Sequence, residues 1–276
     1  PEVMNDYRAT HELLNDMGIA SRLLTPEQVR AAEPGMIGDG PLYGAISYDT
    51  DGTGDCHLFS RSLASVCEQL GANVRYEVKV ERLIADDTRV KAVQLTNADG
   101  RLETLEADAF VICAGCWSPH LVQPLGLRLP IYPIKGYSVT MPIGGRNNPP
   151  TVGGVDEDNL VAYARFGDRM RVTATAEFAG YNKSHQPSDY THMLKAVQDI
   201  YPDGADYSQP FYWAGLRPMT PEGTPIFGAG RYRNMWFNTG HGHIGWTMAP
   251  GSARVTADLI AGKVPALDLT GMRVMP

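Results

Sequence analysis

Cysteine is scarce. The 276-residue sequence has four, Cys56, Cys67, Cys113 and Cys116, a scatter that points to a reducing compartment rather than a disulfide framework. Long apolar runs are missing as well: stretches such as FVICAG at 110–115 fall far short of the roughly 20 residues a membrane-spanning helix needs. No block of Lys and Arg stands out and the formal net charge is −7, which argues against a nucleic-acid surface. There is no internal repeat and no low-complexity tract. No signal-peptide pattern opens the chain, which starts at Pro1, so the expectation is a front segment removed or never included. What remains is an ordinary globular balance, with 43% hydrophobic and 20% charged residues. The length suits one large domain or two intimate ones.

Local signals place the elements. PEVMNDYRATHELLNDMGI, from Pro1, reads as a helix stopped at Gly18. TPEQVRAAEP reads as a short helix with Thr25 as cap, Pro26 in the first turn and Gln28 closing a capping box. A glycine-rich loop then feeds a helix over CHLFSRSLASVCEQL. Asp55 is its expected cap, and Leu58, Phe59, Leu63, Val66 and Leu70 its expected buried stripe. NVRYEVKVERLIA alternates like a strand, VKAVQLTNADGRLETLEA reads as a hairpin turning at NADG, and AFVICAG as a parallel strand buried on both faces. From about Ile131 the texture becomes strand-rich: IYPIKGYSVTMP, LVAYARFGDRMRVTATAEF and PFYWAGLRP, interrupted by a helix at SDYTHMLKAVQDIY. NMWFNTG then returns as a short strand before a final helix. The expected fold is mixed α/β: a partial nucleotide-binding Rossmann-like domain at 1–130, an inserted antiparallel-sheet domain at 131–230, and a return to the first domain at 231–276.

Three stretches carry chemistry. NTGHGHIGWTMAPGSARVTADLI puts a bare glycine loop between a strand and a helix. Glycines let backbone approach a ligand, and the helix N-terminus offers free N–H groups and partial positive charge to a phosphate or to an electron-rich flavin edge. A tight turn with nothing bound explains the same residues equally well. His241 and His243 form an HxH pair, but no further ligand cluster accompanies them, so metal is disfavoured. CAGC is formally a CxxC, yet its first Cys ends an apolar strand, which favours close backbone approach to a ligand over thiol redox chemistry. In YWAGLRPMTPEGTPIFG, Arg217 sits at a rigid strand end where its planar guanidinium could grip a carboxylate in two parallel bonds, or pair with a protein carboxylate such as Glu222.

Taken together, TGDCHLFSRSLA, LGLRLPIYPIKGYSVTMP, WAGLRPMTPEGTPIFG and the glycine loop resemble the D-amino acid oxidase superfamily of FAD-dependent oxidoreductases, in its bacterial D-amino acid dehydrogenase branch. The match runs in family order over nearly the whole chain, but the GxGxxG unit with which that family opens is absent at the start. The resemblance implies FAD as cofactor and oxidative deamination of a D-amino acid by hydride transfer, giving a 2-oxo acid and ammonia. It implies that Gly240, His241, Gly242, Ile244, Gly245, Trp246 and Thr247 border the isoalloxazine ring. Ala114, Gly115 and Trp117 would lie against the dinucleotide, and Val80 near the adenine. Arg217 would clamp the substrate carboxylate and His243 would tune substrate choice. Tyr163 would close the pocket or simply pack in its strand, and Lys135 and Tyr137 carry the same two readings. No general base is implied. Sister activities on glycine, sarcosine or proline, and a flavin-free remnant, stay open. The expected partners are the amino acid, an electron acceptor such as oxygen, a quinone or the respiratory chain, and a missing N-terminal segment or second chain. The expected location is cytoplasmic or peripheral on the inner membrane.

Overall fold

The structure, a computed structural model, describes residues 2–145 and 147–273. Its elements run α1 (Glu2–Asp16), β1 (Ser21–Leu24), α2 (Pro26–Ala32), β2 (Ala45–Tyr48), α3 (Cys56–Gln69), β3 (Lys79–Ala85), β4 (Val90–Thr96), β5 (Leu102–Glu106) and β6 (Phe110–Ile112). They continue with α4 (Ser118–Val122), β7 (Tyr132–Pro142), β8 (Gly154–Asp156), β9 (Val161–Phe166), β10 (Arg169–Glu177), α5 (Thr191–Ile200), β11 (Phe211–Met219), β12 (Ile226–Ala229), β13 (Met235–Thr239) and α6 (Gly245–Ile260). This is the mixed α/β content that the patterning implies.

The chain divides into two compact units. The first comprises Pro1–Phe59, Gly136–Ala176 and Lys183–Gly215. Its centre is a five-stranded sheet in the order β11-β7-β10-β9-β8. Strand residues alternate between faces, so Val139 and Met141 of β7 and Met170 and Val172 of β10 bury together, against Met193, Ala196 and Val197 of α5. Those three α5 residues follow the i, i+3, i+4 spacing of one helix face. LVAYARFGDRMRVTATAEF folds as the β9–β10 hairpin, with Phe166 opposite Arg169 and Gly167 at a φ of 61° in the turn. The capping box on α2 is present: Thr25 N–H donates to Gln28 Oε1 at 2.8 Å, and Gln28 N–H to Thr25 Oγ1 at 3.4 Å. Buried Glu33, just after α2, accepts from the amides of Thr151 and Val152. Helix α1 ends where Gly18 adopts a φ of 80°, while Pro1 lies outside the described residues.

The second unit comprises Ser60–Lys135, Glu177–Asn182 and Leu216–Pro276. In its sheet β12-β13-β6, β13 runs parallel to β6 with Met235 opposite Phe110 and Phe237 opposite Ile112, and antiparallel to β12. These side chains join Val122, Ile226 and Leu83 in one core. A second sheet, β3-β4-β5, is antiparallel; its hairpin turns at Asn97–Gly100, where Gly100 has a φ of 80°. The two sheets are tied by a residue that no pattern singled out. Buried Asn234 donates to the carbonyls of Val90 at 2.8 Å and Asp108 at 3.1 Å, and accepts from Val90 N–H at 2.9 Å.

Three expectations need correction. Asp55 does cap α3, accepting from His57 and Leu58 amides at 3.0 and 3.1 Å, but the stripe below it is not buried. Leu58, Phe59, Leu63, Val66 and Leu70 are all exposed, Leu70 to 83%, because no described element lies over that face. AFVICAG is parallel as expected but buried on one face only: Phe110 and Ile112 are enclosed by the core on one face, and Val111, on the other, is exposed. In NVRYEVKVERLIA only Lys79–Ala85 is strand; Glu77, at a φ of 55°, sits in a left-handed conformation that interrupts an extended chain.

Candidate active site

Because β6 and β13 are parallel, their carboxyl ends lie side by side, and the chain leaves each through small residues. Ligands of open α/β sheets bind just outside such strand ends. Beyond β6, Gly115 adopts a φ of 54° and opens a short 3₁₀ turn over Gly115–Trp117. Beyond β13 comes the glycine loop. The two exits are stitched together where buried Thr239 shares a 2.8 Å hydrogen bond with Ser118 and donates to the Gly115 carbonyl at 3.4 Å. Tyr181 fixes the turn from its other side by donating to the Cys116 carbonyl at 2.7 Å. Ala114, Gly115 and Trp117 are thus held beside the loop, with Trp117 exposed.

The loop is shaped by close contacts that only glycine permits. Gly240 has a φ of 76°, and a Cβ there would lie 2.9 Å from Thr220 Cγ2. Gly242 has a φ of 59° and faces the Met219 sulfur at 3.0 Å from where its Cβ would be. Its amide donates to the Pro218 carbonyl at 3.0 Å. A Cβ on Gly115 would reach Pro218 at 3.9 Å. Both glycine turns therefore flank the end of β11, the strand segment that carries Arg217. Burial pulls the Arg217 guanidinium pKa down, but arginine stays cationic at neutral pH.

Helix α6 starts at Gly245, where a Cβ would come within 2.8 Å of His241 Cβ. Its N-cap, Ile244, supplies no side-chain cap, and no acidic residue occupies the first turn. The amide-rich, partly positive helix end is therefore left unneutralised by the protein's own side chains at the mouth of the loop. Ile244, Trp246 and Thr247 are exposed there, as is His243. His241 turns inward: its Nε2 is 3.1 Å from Ser252 Oγ on α6, its ring meets Phe227 edge-on at 5.8 Å, and burial lowers its pKa. The imidazole is held neutral and staples the loop to the helix.

Other sequence candidates belong to other elements. Val80 sits on β3, in the second sheet of the same unit, and is exposed. Lys135, 3% exposed, pairs with Glu177 at 3.2 Å. Tyr163 and Tyr137 belong to the first unit. Tyr163 is buried edge-on against Tyr201 at 5.0 Å and burial raises its phenol pKa; Tyr137 is buried edge-on against Tyr190 at 5.4 Å. None of the four cysteines forms a disulfide, and desolvation pushes the Cys113 and Cys116 thiols up, the reverse of an activated thiolate. Among the described residues no group of three or more His, Cys, Asp or Glu is placed to hold a metal ion, and no helix is long and apolar enough to cross a membrane. Sequence reasoning missed Pro218, Met219, Ser118 and Thr239. They act through contacts across long stretches of chain, which no local spacing announces.

Comparison with known proteins gives a consistent set. The family described as FAD dependent oxidoreductase (DAO) matches residues 1–259. A protein of Chromohalobacter salexigens named D-amino acid dehydrogenase is 45% identical over 264 residues, covering 95% of this chain and 62% of the relative. One of the same name from Paramagnetospirillum magneticum is 42% identical over 251 residues, covering 91% of this chain and 58% of the relative. The chain thus spans about three fifths of the length of these relatives. Among solved structures, glycine oxidase from Geobacillus kaustophilus superposes with a TM-score of 0.85 at 23% identity, over 99% of this chain and 72% of that one. L-proline dehydrogenase from P. horikoshii gives 0.78 at 19% identity, over 95% and 70%. At that identity the likeness is one of fold.

Proposed function

We propose, from the premise that this chain belongs to the FAD-dependent oxidoreductase family, that it forms the flavin-facing and substrate-gripping part of a D-amino acid dehydrogenase. The observation that carries this reading is the Gly242 amide bonded to the Pro218 carbonyl, which sets the glycine loop directly against the strand end bearing Arg217. The residues present fit a flavin. Gly240 and Gly242 pack bare backbone against Thr220 and Met219 and so set the path of the loop, and the α6 N-terminus carries neither a side-chain cap nor an acidic first turn. An anionic ring edge would be favoured there by the helix dipole. In this reading 1–130 and 231–276 build the cofactor side and 131–230 the substrate side.

Bound FAD supplies the two-electron acceptor. The protein supplies alignment. Arg217 holds the substrate carboxylate through charge-assisted hydrogen bonds from a partly desolvated guanidinium. Ala114, Gly115 and the loop from Gly240 to Thr247 form the cofactor wall, with neutral His241 keeping the loop on α6. The amino acid then loses its Cα hydrogen together with two electrons while its nitrogen lone pair forms a C=N bond. Loss of an N–H proton gives the imino acid, and water releases ammonia and the 2-oxo acid. Such chemistry depends on positioning more than on a strong base. His243, exposed at the loop, tunes substrate choice, and a quinone or oxygen serves as the outlet for electrons.

The test is a substrate panel on the FAD-loaded, full-length protein. Dye reduction with 2-oxo acid release is expected from D-amino acids and not from their L-enantiomers. Preferential turnover of glycine, sarcosine or proline would move the assignment to a sister oxidoreductase, and no turnover with bound FAD would remove it.

A further inference from the structure

The segment Glu177–Asn182 belongs to the second unit, while the residues up to Ala176 and from Lys183 belong to the first. It is fastened within the second unit at both ends. Glu177 pairs with the buried Lys135 ammonium at 3.2 Å. At the other end the Tyr181 hydroxyl donates to the Cys116 carbonyl at 2.7 Å, across 65 positions of chain. The Tyr181 ring lies against the His120 ring at 4.6 Å and the Trp117 ring at 6.2 Å. Between the two ends, Asn182 N–H donates to the Ala179 carbonyl at 3.2 Å, and Gly180 has a φ of 56°. A positive φ at the first central residue of so tight a turn suits glycine, and it sets the direction in which Tyr181 leaves the segment.

Tyr181 holds the turn beyond β6 at a sensitive place. Two successive carbonyls of that turn are tied back by hydroxyls, Gly115 by Thr239 at 3.4 Å and Cys116 by Tyr181. Because a peptide unit is planar, fixing the Cys116 carbonyl also fixes the Trp117 amide, which donates to the Ala114 carbonyl at 3.0 Å and closes the turn. Partial burial raises the Tyr181 pKa above the ordinary phenol value, so the hydroxyl keeps its proton and remains a donor. Resting on the function proposed above, we infer that Tyr181 is a positioning residue for the cofactor. Acting through the Cys116 carbonyl, its hydroxyl holds Ala114, Gly115 and Trp117 in the shape that receives the dinucleotide. The ring supplies packing, and the hydroxyl supplies the orientation of the peptide planes.

The test is titration of FAD into the full-length protein stripped of flavin, followed by flavin fluorescence, beside thermal unfolding. Tyr181→Phe removes only the hydroxyl. It is expected to weaken FAD binding by roughly threefold to tenfold, the range of one hydrogen bond, while KM for a D-amino acid at saturating FAD stays within about twofold. Tyr207→Phe is the matched control, since it removes a tyrosine hydroxyl that donates to the Tyr201 carbonyl at 2.6 Å in the first unit. It should lower Tm comparably and leave FAD affinity unchanged. Gly180→Ala adds a Cβ that meets nothing within 4 Å, so it disturbs only the backbone conformation that aims Tyr181. It should weaken FAD binding too, and it decides alone should Tyr181→Phe not fold. FAD affinity unmoved by Tyr181→Phe would overturn the inference. So would an equal loss in Tyr207→Phe, or a KM raised as much as the FAD Kd. Failure of the unsubstituted protein to bind FAD would sink the functional reading itself, whereas FAD binding and D-amino acid turnover indifferent to Tyr181 would remove only this inference.

Discussion

At the scale of single residues, the proposed function rests on side chains and amides that the fold has already desolvated. Arg217 is partly buried, and if it grips the substrate carboxylate as proposed, replacing it by leucine removes charge-assisted hydrogen bonds that typically contribute about 1.5–3 kcal/mol. Arg217→Leu is expected to lower kcat/KM for D-amino acids at least tenfold, mainly through KM, with FAD absorbance retained. Unchanged kinetics would take Arg217 out of the site. His241 gives a pH signature. Burial lowers its pKa below the ordinary 6.5, so between the two values the unfolded chain binds the proton more readily than the folded one. Stability present above that window is lost as pH falls through it. Tm should therefore drop below pH about 6.5, and His241→Gln should flatten the drop; an equally steep profile in the variant would show that another group is responsible. Arg217 and the loop glycines were legible as residue types in suggestive places. That Gly115 and Gly242 both close on Pro218 was not, because 103 and 24 positions of chain separate the partners.

At the scale of elements, capping and turn chemistry translated faithfully. Thr25 with Gln28, Asp55 ahead of α3, Gly18 after α1 and the NADG turn each do what their local signals imply, since those interactions close within a few residues. Burial was less readable. The α3 stripe has the right period, yet period reports only that a helix has two faces, not that anything covers one of them. Asn234 shows the converse: a polar residue before a strand looks like loop, but its amide knits β4 and the chain ahead of β6 to the start of β13. Asn234→Leu would strand the Val90 amide and carbonyl in the interior at roughly 1–3 kcal/mol per unsatisfied group. A loss of about 2–5 kcal/mol in denaturant unfolding is expected; a loss below about 0.5 kcal/mol would mean that the sheets hold together without it.

At the scale of the molecule, the exposed stripe of α3 and the open side of Val111 leave apolar surface in contact with water among the described residues. Exposed apolar stripes such as that of α3 drive association. Residues 1–276 expressed alone are expected to self-associate, and Leu63→Lys with Val66→Glu should reduce light scattering at equal concentration without lowering the helical signal. Scattering that is unchanged would place the sticky surface elsewhere. The hydrogen bond from Gly242 to Pro218 has a further consequence at this scale. On the proposed reading it makes the grip on a carboxylate and the wall against a ring parts of one mechanical element. Thermodynamic reciprocity then applies: whatever factor an occupant at Arg217 adds to affinity at the loop, an occupant at the loop returns to Arg217. A substrate analogue should therefore shift the reduction potential of the protein, and reduction should in turn tighten or loosen the analogue by the same factor.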